Sequence, residues 1–408
     1  MKAREYAWSV LDRIINQHGY ANLILRSRKE AFSAEDIRLI NEIVYGTLRN
    51  LTFLEYQWKD LARGRVKQKT AVLINMSVYQ LLYLDRIPAY AVINEAVELS
   101  GRGEKGFVNA VLHKVQKRGM KMPVTTDPLE KAALQYSHPL WLLKMWVSHY
   151  GLENALKTAE KDQERAIVYG RVNTLKTDPE VFFRKPKVTH TEDLCFTYDG
   201  ILSETDWFRN GEVIIQDRMS QRVVSMLDAG SGMNVMDCCA APGTKTQQIC
   251  AAMKNKGTIY AYDLYPERVK LIEELMKRTG SLIVKAAAGD ASKPADLPDE
   301  SMDRILIDAP CSGLGDLSHK PEIRYHIRPE DIDELVRTQK SILEASCRYL
   351  KKGGILVYST CTLNRKENEN QIAAFLKEHE DFELCEEHTW FPFEFESDGF
   401  YCARLMKK

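Results

Sequence analysis

Met236-Asp237-Cys238-Cys239-Ala240-Ala241-Pro242-Gly243-Thr244-Lys245-Thr246 is the stretch whose reading decides the fold. An apolar run from Asn234 to Cys239 ends in small residues and a glycine, and a helix-forming segment follows. A buried strand ending in such a turn lets a ligand approach the backbone and sets the ligand's polar group at a helix N-terminus. The turn is not a GxGxxG and lacks the second half of a Walker loop, so phosphate cradling finds little support. A tight turn of this kind occurs in any α/β protein, and the surrounding rhythm has to say which kind this is.

Downstream, short apolar runs alternate with amphipathic helical segments: Thr258 to Asp263, Ile283 to Ala287, Arg304 to Asp308 and Gly354 to Ser359. Pro266 and Gly280 bracket one intervening helix in the usual N-terminal and C-terminal asymmetry. Phe382 to Glu386 and Tyr401 to Met406 supply closing strands. The fold class is therefore α/β, a Rossmann-like, mainly parallel sheet over residues 216–408 with helices on both faces. Asp263, 20 residues beyond Gly243, ends the second strand, where a carboxylate can accept both ribose hydroxyls of a nucleoside cofactor. Asp290 ends the third strand and Asp308 the fourth. One acid at a strand end is usually a turn or cap residue; three in register with the first turn converge on the crevice where open α/β sheets bind ligands.

Upstream the pattern changes. Residues 1–120 read as helix, with apolar positions at helical spacing in Tyr6, Val10, Leu11, Ile14, Ile15 and in Ile37, Ile40, Ile43, Val44, Leu48. Breaks fall near Gly19, near Gly64, at Pro88 and around Gly101 to Gly106, giving five or six helices in an all-α domain over residues 1–125. Met122 to Pro128 reads as a linker, and residues 129–215 as a small α+β module with a helical stretch Leu140 to Thr158 and a strand-like run Ile167 to Val172. Two basic stretches stand out, Arg63, Arg65, Lys67, Lys69 and Lys114, Lys117, Arg118, Lys121. Such runs are commonly solvated helix ends; without interleaved aromatics they suit phosphate contact rather than base reading.

The formal net charge is zero, yet residues 1–130 hold 20 Lys and Arg against 14 Asp and Glu, and the remainder is acidic by the same margin. A basic front on an acidic back suits a polyanion met by the front, although an excess of six over 130 residues also arises by chance. No run approaches the ~18 apolar residues of a membrane span, and the start has no signal stretch, so a cytoplasmic protein is expected. Nine cysteines with no CxxC pair and no Cys/His cluster argue against a disulfide framework and against a metal site.

Two of those cysteines sit just past strand ends, in Asp308-Ala309-Pro310-Cys311-Ser312-Gly313 and in Tyr358-Ser359-Thr360-Cys361-Thr362. A cysteine in a strand is most often inert, but two on the face that carries the three acids point to reactive thiols. Cys195, Cys250, Cys347, Cys385 and Cys402 are assigned to packing; Cys238 and Cys239 lie in the first turn, where small size suffices.

The Ala240-to-Lys245 turn, the Asp308-to-Gly315 segment with Lys320-Pro321-Glu322-Ile323-Arg324-Tyr325 behind it, and the Ser359-to-Thr362 segment resemble the RNA 5-methylcytosine methyltransferases. Asn41 to Arg49, Tyr79 to Asp85, Ala91 to Leu99 and Phe107 to Leu112 resemble a NusB-type RNA-binding domain. Ser137-His138-Pro139 with Trp141, and Gln216-Asp217, are similar to the bacterial subgroup, of the RsmB type, that methylates cytosine C5 in 16S rRNA. Thr244 stands where many members have glycine, and Leu317-Ser318-His319 replaces a more basic stretch. The resemblance implies S-adenosylmethionine as cofactor, with Cys239, Ala240, Ala241, Pro242, Gly243, Thr244 and Lys245 around its methionine part. It implies Asp263 on the ribose, Asp290 on the adenine and Asp308 between cofactor and base.

Cytosine C5 is a weak nucleophile, so its methylation needs a thiolate to add first at C6. By placement alone either cysteine serves. DNA cytosine methyltransferases use the Pro-Cys thiol and the RNA family the Thr-Cys thiol, so the resemblance implies Cys361 for attack and Cys311 for product release. Lys245 is expected to help ionise the thiol, and Asp308 to hydrogen-bond cytosine N3. The expected partner is 16S rRNA, bound by a monomer without membrane or metal. Three other readings are an amino-group methyltransferase, a tRNA cytosine methyltransferase and a non-catalytic NusB-like RNA-binding factor. Cys311 occupies the place where the first would carry an aromatic residue, and the last would be expected to lose the cysteines or acids.

Overall fold

The computed structural model describes residues 2–26 and 31–408. The chain divides into two compact units, one of residues up to Arg165 together with Leu317–Ile327, the other of Ala166–Asp316 and Arg328–Lys408.

The first unit is helical. Its helices are α1 (Ala3–Gln17), α2 (Ala21–Arg26), α3 (Ala34–Arg49), α4 (Leu51–Trp58), α5 (Gln68–Tyr83), α6 (Ala89–Leu99), α7 (Lys105–Arg118), α8 (Pro128–Gln135), α9 (Leu140–Tyr150) and α10 (Leu152–Lys161). Met1 and residues 27–30, within the stretch read as helix, lie outside the described residues. Periodicity works here because each helix has one face to bury: α1 buries Tyr6, Ala7, Val10, Leu11 and Ile14 in one core with Ile40, Ile43, Val44 and Leu48 of α3. The breaks fall where Gly and Pro placed them, with two more: α2 ends at Arg26 and α3 starts at Ala34, and at Asn50 the side-chain amide donates to the Gly46 carbonyl at 2.9 Å and divides α3 from α4. The described residues up to 118 therefore hold seven α-helices rather than five or six.

Leu140 to Thr158 is two helices, because Gly151 at φ 85° ends α9 and starts α10. The compact units also divide elsewhere than the reading of a module over 129–215. Helices α8 to α10 join the helical unit, where the Ser137 hydroxyl accepts the Phe53 N–H at 2.9 Å and Leu142, Leu143 and Trp146 are buried. The strands that follow join the second unit.

Those strands, β1 (Tyr169–Val172), β2 (Val188–Glu192), β3 (Cys195–Tyr198) and β4 (Val213–Ile215), form an antiparallel sheet in the order β2-β3-β1-β4. The main sheet comprises β5 (Asn234–Asp237), β6 (Thr258–Asp263), β7 (Val284–Ala288), β8 (Met302–Asp308), β9 (Leu350–Thr360), β10 (Phe382–Trp390) and β11 (Phe400–Lys407). Its order is β10-β11-β9-β8-β5-β6-β7, parallel from β9 to β7, with β11 and β10 antiparallel at one edge. Helices α11 (Arg218–Leu227), α12 (Thr244–Ala252), α13 (Pro266–Thr279), α14 (Pro329–Cys347) and α15 (Glu369–Glu378) accompany it. The chain proceeds from β5 one way through β6 and β7, then returns to β8 on the other side of β5. That reversal opens a crevice at the C-terminal ends of β5 and β8, where ligands bind in open α/β sheets. Among the described residues no helix is long and apolar enough to cross a membrane.

Candidate active site

The turn after β5 is small and tightly tied. Gly243 N–H donates to the Ala240 carbonyl at 2.7 Å, and Ala240 N–H to the Tyr262 carbonyl at 2.8 Å. Gly243 has φ 103°, and a Cβ there would lie 3.3 Å from the Ile272 Cα of α13. The glycine is thus needed for close helix packing as well as for its backbone angle. Asp237, at the end of β5, is fully buried; one carboxylate oxygen accepts the Thr246 hydroxyl at 2.7 Å, and Oδ1 has no partner. Burial first, then the nearby Asp308, pushes its carboxyl up to about 7 despite the Thr246 hydrogen bond.

Asp263 ends β6 and accepts the Ala241 N–H at 3.2 Å, which joins the first two strand ends; Arg268 lies 3.4 Å away. Asp290 follows β7 and accepts the Ser292 N–H at 3.1 Å and hydroxyl at 2.6 Å. Hydrogen bonds from Lys293 and Ser292 hold its carboxyl down at about 2, so it stays anionic. The crevice offers carboxylates at successive strand ends and a turn of small residues, with Asp237 sealed beneath that turn. This donor set fits a ligand that carries both an ammonium group and a ribose diol.

Across the switch point, Asp308 at the end of β8 binds the Lys245 ammonium at 2.7 Å and the Ser359 hydroxyl at 2.7 Å. Burial disfavours charge on Lys245, but Asp308, Cys361 and Asp237 outweigh it, and the ammonium is held more firmly than usual. Its Nζ also lies 5.4 Å from the centre of the Phe400 ring. The two cysteines meet, Cys311 Sγ standing 3.4 Å from Cys361 Sγ, both partly buried. The hydrogen bond to Cys361, then burial and the charges of Cys361 and Glu367, push the Cys311 thiol well up, so Cys311 retains its proton.

Sequence reading missed what holds these loops. Asn364, Glu367 and Asn368 stand in a polar stretch from which the sequence reading singled out no residue, yet all three are buried. Glu367 accepts the Ser312 N–H at 2.8 Å and hydroxyl at 2.6 Å; Asn368 accepts the Thr360 hydroxyl at 2.6 Å and donates to the Thr362 carbonyl at 2.8 Å. The available signal was their spacing, i, i+3, i+4, which puts them on one side of a turn entering α15.

Other assignments divide. Cys195, Cys250, Cys347 and Cys402 are buried, as packing requires, whereas Cys385 is exposed because β10 is an edge strand. In the helical unit Asp60 pairs with Arg118 at 2.9 Å and Lys121 at 3.1 Å, which sets the second basic stretch beside the first. Arg63, Arg65, Lys114 and Lys117 are exposed.

A doubly wound sheet with acids at the ends of β6, β7 and β8 and a thiol pair beside the β5 turn defines a nucleoside-cofactor methyltransferase. The chain belongs to the family described as 16S rRNA methyltransferase RsmB/F, whose model matches residues 224–406, and the NusB family matches residues 1–117. It is 38% identical to the probable ribosomal RNA small subunit methyltransferase B of Bacillus subtilis, covering 99% of this chain and 98% of that one. It is 32% identical to the ribosomal RNA small subunit methyltransferase B of Serratia proteamaculans over the same shares. A solved methyltransferase homolog protein from Pyrococcus horikoshii is 26% identical, covers 70% of this chain and 100% of its own, and superposes with a TM-score of 0.61.

Proposed function

We propose that the chain methylates C5 of a cytosine in 16S rRNA, using S-adenosylmethionine and a transient bond from Cys361 to cytosine C6. The observation that carries this is the pair of thiols 3.4 Å apart beside the Lys245–Asp308 ion pair, at the mouth of a nucleoside-type crevice. Neither a structural role nor amino-group methylation needs two thiols there. The turn Cys239–Lys245 would hold the methionine part of the cofactor, Asp263 its ribose and Asp290 its adenine. Bound S-adenosylmethionine supplies an electrophilic methyl group, which C5 takes.

Cys361 forms the S–C6 bond, and electron density moves to C5. Asp308, oriented by Lys245 and Ser359, takes a proton from the Lys245 ammonium 2.7 Å away and with it donates a hydrogen bond to cytosine N3 as charge builds there. After methyl transfer a water beside Cys311 takes the C5 proton, the C5–H electrons restore the C5–C6 double bond, the S–C6 bond breaks, and its electrons return to Cys361 as the thiolate. The target base must leave its stack to reach this pocket, so an unpaired rRNA segment is the easier substrate. The NusB-like helices over residues 1–125 would hold the RNA backbone through Arg63, Arg65, Lys114 and Lys117. The relatives, ribosomal RNA small subunit methyltransferases by name, support rRNA over tRNA.

The test is incubation of the protein, Cys311→Ala and Cys361→Ala with S-adenosylmethionine and unmodified small-subunit rRNA, read by bisulfite sequencing and denaturing gels. The wild type is expected to make one 5-methylcytosine. Cys361→Ala should be inactive without an adduct, and Cys311→Ala should accumulate a protein–RNA adduct. The reverse pattern exchanges the two thiol roles; absence of any 5-methylcytosine overturns the proposal.

A further inference from the structure

Glu367 is a fully buried carboxylate with no cation among its hydrogen-bond partners in the described residues. Its Oε1 accepts the Ser312 N–H at 2.8 Å and the Gln339 amide at 3.1 Å; its Oε2 accepts the Ser312 hydroxyl at 2.6 Å and the Asn364 amide at 2.9 Å. Its own carbonyl accepts the Tyr358 hydroxyl at 2.7 Å. Gln339 also donates to the Pro310 carbonyl at 2.9 Å. Both neighbours of Cys311 are therefore fixed from one carboxylate, Ser312 directly and Pro310 through Gln339. Ser312 and Thr362 hydroxyls lie 2.7 Å apart, which carries the same constraint to the residue after Cys361. An amide in this place would accept through one oxygen only and would turn a donor nitrogen toward two of the four donors, so the carboxylate is what the network requires. With it comes a buried charge, costly to desolvate, whose surroundings matter.

Ser312, which that carboxylate holds, directly follows Cys311, so the charge lies beside the Cys311 loop and adds to the Cys361 hydrogen bond and burial in raising that thiol. The titratable groups around that thiol are Cys361, Glu367 and, next to both, Tyr358. Lys366, the neighbouring cation on this turn, reaches outward to Asp333 at 2.9 Å. We propose that Glu367 is the positioning residue that divides the labour of the two thiols: its carboxylate fixes the Cys311 loop and its negative charge keeps the hydrogen on Cys311. Cys361, facing the Lys245 side, is then left to add to the base. This rests on the covalent reading above. It adds a cause for the choice between two thiols that strand-end placement leaves equivalent.

The test uses the full-length protein without RNA or cofactor. Iodoacetamide labelling of Cys311 is followed by peptide mass spectrometry against pH in the wild type, Glu367→Gln and Asn368→Ala, with thermal melts to confirm folding. Removing the charge in Glu367→Gln is expected to lower the pH of half-labelling at Cys311 by about one unit or more, at little change in the high-pH plateau rate. Asn368→Ala, which loosens the Cys361 loop without removing a charge, should leave that midpoint in place. A Glu367→Gln midpoint equal to wild type, or a raised plateau with an unmoved midpoint, would overturn the proposal by showing a structural tie alone. On rRNA, Glu367→Gln should lose about tenfold in kcat with KM for RNA little changed. Unchanged kcat in that variant, with the wild type active, also overturns it. An inactive wild type would instead count against the covalent reading, which the labelling does not depend on.

Discussion

At the scale of single residues the site holds acids in opposite circumstances. Asp290 is solvated and hydrogen-bonded and remains anionic, whereas Asp237 is sealed beneath the first turn with one oxygen unpaired. For Asp237 the native carboxyl sits at about 7 against an ordinary 3.8, so between those values the native protein binds a proton that the unfolded chain has released. Its contribution to stability is full below pH ~4 and declines as pH rises to ~7, by roughly 4 kcal/mol at most for a shift of about three units. Asp237→Asn removes that slope while keeping an acceptor for Thr246. Urea unfolding of both proteins at pH 4.5 and pH 8 should show the variant gaining on wild type by a few kcal/mol at the higher pH. An equal difference at both would mean that Asp237 is ionised in the fold. The sequence made Cys311, Cys361, Asp263, Asp290 and Asp308 visible because each directly follows an apolar strand, and strand ends converge by topology. Asp237 also ends its strand, but the apolar run was read on to Cys239, which hid it; Glu367 was hidden because a charged residue in a polar run reads as solvated until its neighbours are known.

At the scale of elements, legibility followed burial. β6 runs Thr258–Asp263 as read, and β5, β7, β8 and β9 lie within a few residues of their apolar runs; the central β5, β8 and β9 are mostly buried and so mostly apolar, whereas β7, at the edge and largely exposed, was legible from its run of small apolar residues alone. The hairpin of β2 and β3 went unread: β2 is mostly exposed, so its sequence, Val188-Thr189-His190-Thr191-Glu192, carries no apolar signal. The start of α11 shows how one residue can carry an element's placement. Asp217 caps it by accepting the N–H groups of Met219 at 2.8 Å and Ser220 at 3.2 Å. The same carboxylate takes the Ser397 hydroxyl at 2.6 Å and the Asp398 N–H at 3.2 Å, so the cap also anchors the loop that leads into β11. A helix cap alone is worth ~1 kcal/mol, and the two further bonds to an ionised acceptor add about as much again. Asp217→Ala is therefore expected to lower the unfolding free energy by about 2–3 kcal/mol. Asp217→Asn, which keeps one acceptor oxygen, should recover about half. Chemical denaturation reads both, and a loss under 1 kcal/mol for Asp217→Ala would show that the β11 loop holds itself.

At the scale of the whole molecule the chain does not keep its units in sequence order. It leaves the second unit after Asp316, gives Leu317–Ile327 to the helical unit, and returns at Arg328. No local pattern announces this, because Lys320-Pro321-Glu322-Ile323-Arg324-Tyr325 finds its partners some 200 to 300 residues earlier in the chain. The Ala21 N–H donates to Glu322 at 2.9 Å, and Arg324, fully buried, donates to the Tyr136 carbonyl at 3.1 Å. The Tyr325 hydroxyl donates to the Leu48 carbonyl at 2.9 Å, and His326 binds the Ile14 carbonyl at 2.9 Å. Since this segment follows the Cys311 loop directly, the helical unit and one thiol loop share a length of chain. The helical unit should then be incomplete when cut at its sequence boundary. Loss of four such bonds at ~1 kcal/mol each, with the burial of Leu317, amounts to about 4–6 kcal/mol, a large part of the ~5–15 kcal/mol that holds a domain together. Residues 1–165 expressed alone should melt at least 10 °C below the same residues carrying 317–327 on a flexible Gly/Ser linker. Arg324→Ala within that fusion should return about a quarter to a third of the loss, because it removes one of the four bonds while Gln163 still donates to the Tyr136 carbonyl. Equal melting with and without the segment would mean that helices α1 to α10 are self-sufficient and that Leu317–Ile327 only rests upon them.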